Sequence, residues 1–104
     1  MRNGRGTEDC SGEEREGGKM TDDEKLFAEM VSTERMRQNE KWGEQNHNAF
    51  VWAAILGEEF GEMQKALLEN LGDEKTKADI THELIQVAAV AQAMWESGAR
   101  NGQL

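Results

Sequence analysis

A single all-α domain is the architecture this sequence predicts, and three observations carry that reading. The chain is 104 residues long, which suffices for one core. It holds no Pro, no Tyr and only three Phe, a poor composition for a fold of strands and tight turns. Its apolar residues recur at three- and four-residue spacing over long stretches, the period of a helix with one buried face. The expected arrangement is an N-terminal helix followed by a helical hairpin.

Residues 1–20 read as a disordered tail. Up to Lys19, Gly4, Gly6, Gly12, Gly17 and Gly18 lie among charges with no aliphatic side chain after Met1, so too little surface is buried to offset the entropy of ordering. The domain spans 21–104. Thr21 and Glu24 match a capping box, and Asp22 and Asp23 suit the positive end of a helix dipole, so a first helix is expected from Thr21 to about Asn39. From Asn39 to Asn48 no helical period is visible, yet Trp42 and His47 stand there among groups rich in donors; the segment reads as a loop with something to hold. Asn48 is a suitable N-cap for a second helix, carried to Asn70 by Val51, Trp52, Ile55, Leu56, Met63, Ala66 and Leu67. Leu71, Gly72 and Asp73 form a turn, and Ile80, Leu84, Val87, Ala91, Met94 and Trp95 mark a third helix ending near Gly98.

A net charge of −9 repels a phosphate backbone, so a nucleic acid polymer is not the expected partner. Cys10 is the single cysteine; it closes no internal disulfide and completes no sulfur-ligated zinc site, which fits a reducing, cytoplasmic setting. No apolar run is long enough to span a membrane, and no apolar segment follows the N-terminal basic residues as in a signal peptide.

Two antiparallel helices joined by a short turn place residues equidistant from the turn at the same height. With the turn centred between Gly72 and Asp73, Glu62 is level with Glu83 and Glu59 with Gln86. Glu59 and Glu62 are three residues apart on one helix, as Glu83 and Gln86 are on the next, so each pair shares a face. Four oxygen-bearing side chains converge beside the apolar stripe of Ile55, Leu56, Phe60, Met63 and Ala66. Like charges so placed either take up protons or gather a cation, and an all-oxygen set suits Mg2+ or Mn2+ rather than zinc. Glu58 and Asp79, a turn or less away, are candidates for a second ion. Glutamate is also a strong helix former, and Glu58, Glu59 and Glu62 alone would read as a solvated face; the matched pair on the next helix tips the balance.

The run from Trp52 to Glu62, WAAILGEEFGE, followed by Glu83 to Ala91, ELIQVAAVA, resembles the MazG-like nucleotide pyrophosphohydrolases of the all-α NTP pyrophosphatase superfamily. The preceding Lys41 to His47, KWGEQNH, is similar to the loop of the short, phage-type members. The resemblance implies a homodimer or homotetramer that binds magnesium through ExxE and ExxD pairs. Glu59, Glu62 and Glu83 match three of those ligands; where the family carries Asp, this chain has Gln86. By the same resemblance the substrate is a nucleoside triphosphate cleaved to monophosphate and pyrophosphate. The resemblance sets neither base nor sugar; a purine deoxynucleotide such as dGTP or dATP is the separate expectation. Glu59 and Glu58 are then the catalytic candidates, Glu58 being the nearest group to orient or deprotonate the attacking water.

Lys41 suits a phosphate, Trp42 offers a stacking surface, and Gln45, His47 and Asn48 carry groups able to read a base. Each also has a plainer role: Lys41 as a solvated lysine, Trp42 and Trp52 as core or interface anchors, His47 as a cap. Arg35 and Arg37 precede the loop as further phosphate candidates, while Trp95 and the methionines 30, 36, 63 and 94 are assigned to packing. Trp52, Leu56 and Phe60 on one flank, with Val90 and Met94 on the other, exceed what one short helix covers, which independently favours a homo-oligomer. Two other readings stay open: a non-catalytic helical interaction protein, and a pyrophosphohydrolase of another nucleotide such as a nucleoside diphosphate or an alarmone.

Overall fold

The computed structural model describes residues 18–69 and 74–104, and is all-α. Helix α1 spans Asp22–Trp42, α2 Ala49–Glu69 and α3 Glu74–Arg100. The expected tail lies outside the described residues up to Gly17, as does the expected turn at 70–73.

The capping box forms as the sequence dictates. Thr21 Oγ1 accepts the Glu24 N–H at 3.2 Å, and the Glu24 carboxylate accepts the Thr21 N–H at 2.8 Å. At the start of α2, Asn48 Oδ1 accepts the Val51 N–H at 3.0 Å, satisfying one donor of the exposed first turn.

Both flanking helices run longer than the apolar pattern suggests. Helix α1 continues three residues past Asn39 and stops at Gly43, whose φ of 73° lies in the left-handed region and whose N–H returns to the Asn39 carbonyl at 2.8 Å. Gly98 does not end α3; it is buried inside the helix, where the Leu104 side chain lies 2.5 Å from the position a Cβ would take. The stop is Gly102, at φ 74°, with Gln103 N–H on the Gly98 carbonyl at 2.7 Å and Gly102 N–H on that of Ala99 at 3.4 Å. That pair of bonds is a Schellman cap.

Helix α3 is the shared partner of α1 and α2. Val31 of α1 packs on Ile85 and Ala89, with Met30 and Ala88 at the edge. Trp52 of α2 packs on Val90 and Ala93, with Ile55, Leu56 and Met94 around them. Trp52 and Val90, expected on outward flanks, are thus spent within the chain. Trp95 and Met36, assigned to packing, are instead 63% and 61% exposed. Trp95 lies on a side of α3 that neither partner covers, and Met36 lies on α1, which meets only α3.

Candidate functional site

Facing turns of α2 and α3 bring Glu59, Glu62 and Glu83 together, with one carboxylate oxygen from each lying within 4.8 Å of the others. Glu59 and Glu83 are half-buried and Glu62 is exposed, so the cluster has a sheltered side and an open one. Helical spacing explains the convergence: Glu59 and Glu62 lie one turn apart beside the stripe that packs on α3, and Glu83 lies two turns before Val90, which packs on Trp52 of α2.

The electrostatics follow from that placement. Partial burial holds the Glu59 carboxyl above the ordinary glutamate range, and the charges of Glu62, Glu83, Glu58 and Glu34 push it the same way. Glu83 Oε1 is buried with no hydrogen-bond partner, an acceptor that its surroundings leave unsatisfied. Three hard oxygen donors at this separation, one of them an orphaned acceptor, fit a magnesium or manganese ion. Glu58 is exposed and outside the cluster. Asp79 lines an adjoining acidic furrow with Glu62, Glu69, His82 and Glu83.

Gln86 faces α1. Its Oε1 lies 3.5 Å from Gln38 Nε2, and the same nitrogen donates to Glu34 Oε2 at 3.0 Å. Gln38 Oε1 in turn accepts Arg35 Nη1 at 3.2 Å, and Arg35 Nη2 reaches Glu96 on α3 at 2.8 Å. A glutamine only 7% exposed therefore ties α1 to the site. Helical spacing carries no sign of this network, because a glutamine on a weakly amphipathic helix reads as solvated until its partner helix is known.

A cleft of about 160 Å³ adjoins the carboxylates, lined on its polar side by Glu59, Gln86, Gln38 and Gln45 and on its apolar side by Trp42 and Trp52. Of the four substrate candidates, Trp42 and Gln45 line this cleft. Lys41 and His47 do not: the Lys41 ammonium sits 4.8 Å over the Trp42 ring, and His47 meets Trp52 edge to face at 4.9 Å. Both contact the aromatic wall rather than line the cleft. The loop itself is fastened to the end of α3, where Arg100 donates to Asn46 Oδ1 at 2.8 Å and to the Gln45 carbonyl at 3.1 Å and pairs with Glu44 at 3.1 Å. Neither candidate phosphate arginine is free, since Arg35 pairs with Glu96 at 2.8 Å and Arg37 with Glu34 at 2.6 Å.

Comparison with known protein families, with curated proteins and with solved structures found no match.

Proposed function

We propose that the protein is a metal-dependent nucleoside triphosphate pyrophosphohydrolase, acting as a homodimer or homotetramer in a reducing, cytoplasmic setting. The observation that carries the reading is the convergence of Glu59, Glu62 and Glu83 within 4.8 Å at the edge of an aromatic-walled cleft. Such a site suits a substrate with an anionic end and a flat, stackable end, as a nucleotide has.

Glu59, Glu62 and Glu83 would hold magnesium or manganese. What that ion supplies when bound is screening of the triphosphate against an acidic surface and a lowered pKa for water. Trp42 and Gln45 hold the nucleoside end, and Trp52 closes the inner wall. Glu58, close enough to raise the Glu59 carboxyl yet open to solvent, takes the proton of the attacking water. Water adds to the α-phosphorus, the bridging bond to the β-phosphate breaks, and monophosphate and pyrophosphate separate. Gln86 adds no charge at the fourth position, and its oxygen faces Gln38, so Glu59, Glu62 and Glu83 are the residues that would hold the ion.

The test is a panel of ribo- and deoxyribonucleoside triphosphates with Mg2+ or Mn2+, monitoring monophosphate and pyrophosphate together. Equal release of both products, reduced at least about a hundredfold in Glu59→Gln, is the expected result. Folded protein that turns over no triphosphate with either ion would refute the enzymatic reading and favour a helical interaction protein.

A further inference from the structure

From Gly43 to Asn48 the chain runs without helical turns, as a strap between α1 and α2, and its residues alternate. Gln45 and His47 are half-buried, whereas Glu44, Asn46 and Asn48 are exposed. The inward pair serves the aromatic pocket, Gln45 lining the cleft and His47 meeting Trp52. Little in the strap's own backbone fixes this arrangement. The Gly43 N–H returns to Asn39 and the Trp52 N–H to Asn48, and among the described residues 44–47 make no backbone–backbone bond. A cavity of about 140 Å³ stands between the strap and α3, with Glu44 and Gln45 on one side and Ala93, Glu96 and Arg100 on the other, so close packing does not fix the strap either.

The end of α3 supplies the hold. Arg100 Nη2 donates to the Gln45 carbonyl at 3.1 Å and to Asn46 Oδ1 at 2.8 Å, and Arg100 Nε donates to the same Oδ1 at 3.2 Å. Asn101 Nδ2 reaches that oxygen at 2.9 Å and the Ser97 carbonyl at 2.8 Å. Asn46 Nδ2 donates to Glu44 Oε2 at 3.0 Å, so chemistry sets the Asn46 amide one way round, oxygen to the donors of α3 and nitrogen to the carboxylate. The Arg100–Glu44 pair, with side chains 38% and 62% exposed, contributes little in water. The guanidinium fork onto two neutral oxygens is the stronger part.

We infer that Arg100 is a positioning residue for the nucleoside end of the substrate. It grips Gln45 by the backbone carbonyl, which leaves the Gln45 side chain on the cleft for the ligand. The cluster of Glu59, Glu62 and Glu83 takes no part in this clamp. Loosening the clamp lowers the fraction of chains with Gln45 in place, and the apparent affinity for the nucleoside end falls by that fraction while the hold on the ion is kept. This rests on the proposed nucleotide cleft and adds the group that sets its geometry.

The experiment is calorimetric titration of the full chain with dGMP and dAMP in the presence of Mg2+, and with Mn2+ alone, for the wild type, Arg100→Met, Asn46→Ala and Asn46→Asp. Methionine keeps an unbranched stem and good helix propensity and loses every donor. Aspartate keeps the acceptor oxygen that alanine removes. Arg100→Met and Asn46→Ala should bind the monophosphates roughly three- to tenfold more weakly, with Asn46→Asp within about twofold of wild type. Mn2+ affinity should be unmoved in all of them, and the double variant Arg100→Met with Asn46→Ala should lose no more than the weaker single one. An Arg100 that serves only stability lowers the melting temperature and weakens either both kinds of ligand or neither, which overturns the inference. Wild type that binds a monophosphate no better than folded Arg100→Met and Asn46→Ala overturns the inference and leaves the nucleotide reading standing. Wild type that binds neither monophosphate overturns both.

Discussion

Glu59 is where burial and like charge act on the same group, and that makes its titration a stability probe. Its carboxyl is raised first by partial burial, then by Glu62, Glu83, Glu58 and Glu34. The native state therefore keeps a proton over a window above the unfolded glutamate's range, and stability falls as pH rises through that window. Glu34 and Glu96 have the opposite sign: Arg37 holds the first low and Arg35 the second. Their contribution is complete at neutral pH and is lost as pH falls through the acid range. Thermal melts of metal-free protein should accordingly show Glu59→Gln a few degrees more stable than wild type at neutral pH, with the gap closing in mild acid. Glu34→Gln should show a deficit that also shrinks on acidification. Added Mn2+ should raise the midpoint of the wild type and of neither Glu59→Gln nor Glu83→Gln. A Glu59→Gln protein less stable than wild type at every pH would remove the electrostatic argument. Spacing in the sequence pointed to Glu59, Glu62 and Glu83 because one helical period governs both helices. Gln38 was not legible as a site residue, and Arg35, expected as a phosphate partner, instead pairs with Glu96, since both roles depend on how α1 lies against α3.

The helices owe their limits to local chemistry that is partly readable. Thr21 with Glu24 and Asn48 with Val51 form the caps that their residue types favour, so α1 and α2 begin where expected. Asn48→Ala should cost about 1 kcal/mol in urea unfolding. Gly102→Ala should cost about the same, because its φ of 74° strains any residue with a Cβ. The end of α3 differs from the expectation because two glycines lie close together, and what separates them is backbone conformation: Gly102 is left-handed at φ 74°, whereas Gly98 stays in the helix. Gly98→Ala should then be nearly neutral, Leu104 being 67% exposed and able to swing aside. A loss at position 98 exceeding that at 102 would reverse this assignment of the stop.

Taken as one body, the chain leaves a good deal of apolar surface in water. Phe50 is 87% exposed, Leu68 76% and Trp95 63%, and an apolar furrow between α2 and α3 is lined by Leu56, Phe60, Val87, Ala91 and Met94. Two helices packed on one shared partner cannot cover all sides, which is the physical ground for the proposed homo-oligomer. Sedimentation at increasing dilution should reveal a dimer or tetramer, and Phe60→Asp, on the furrow and away from the nucleotide cleft, should shift it to monomer. A monomeric wild type at micromolar concentration would exclude assembly through this face. No helix among the described residues is long and apolar enough to cross a membrane.

The all-α class, the starts of α1 and α2, and the carboxylates on facing turns follow from residue identity and helical period, which are local properties. Packing alone placed Trp42 and Gln45 with Glu59 on one cleft, left Lys41 and His47 against the tryptophan rings, and drew Gln38 from α1 into the site. Those outcomes depend on which face of α1 meets α3, and a helix with so faint an apolar stripe leaves that choice to contacts between residues some fifty positions apart, such as the 48 between Gln38 and Gln86.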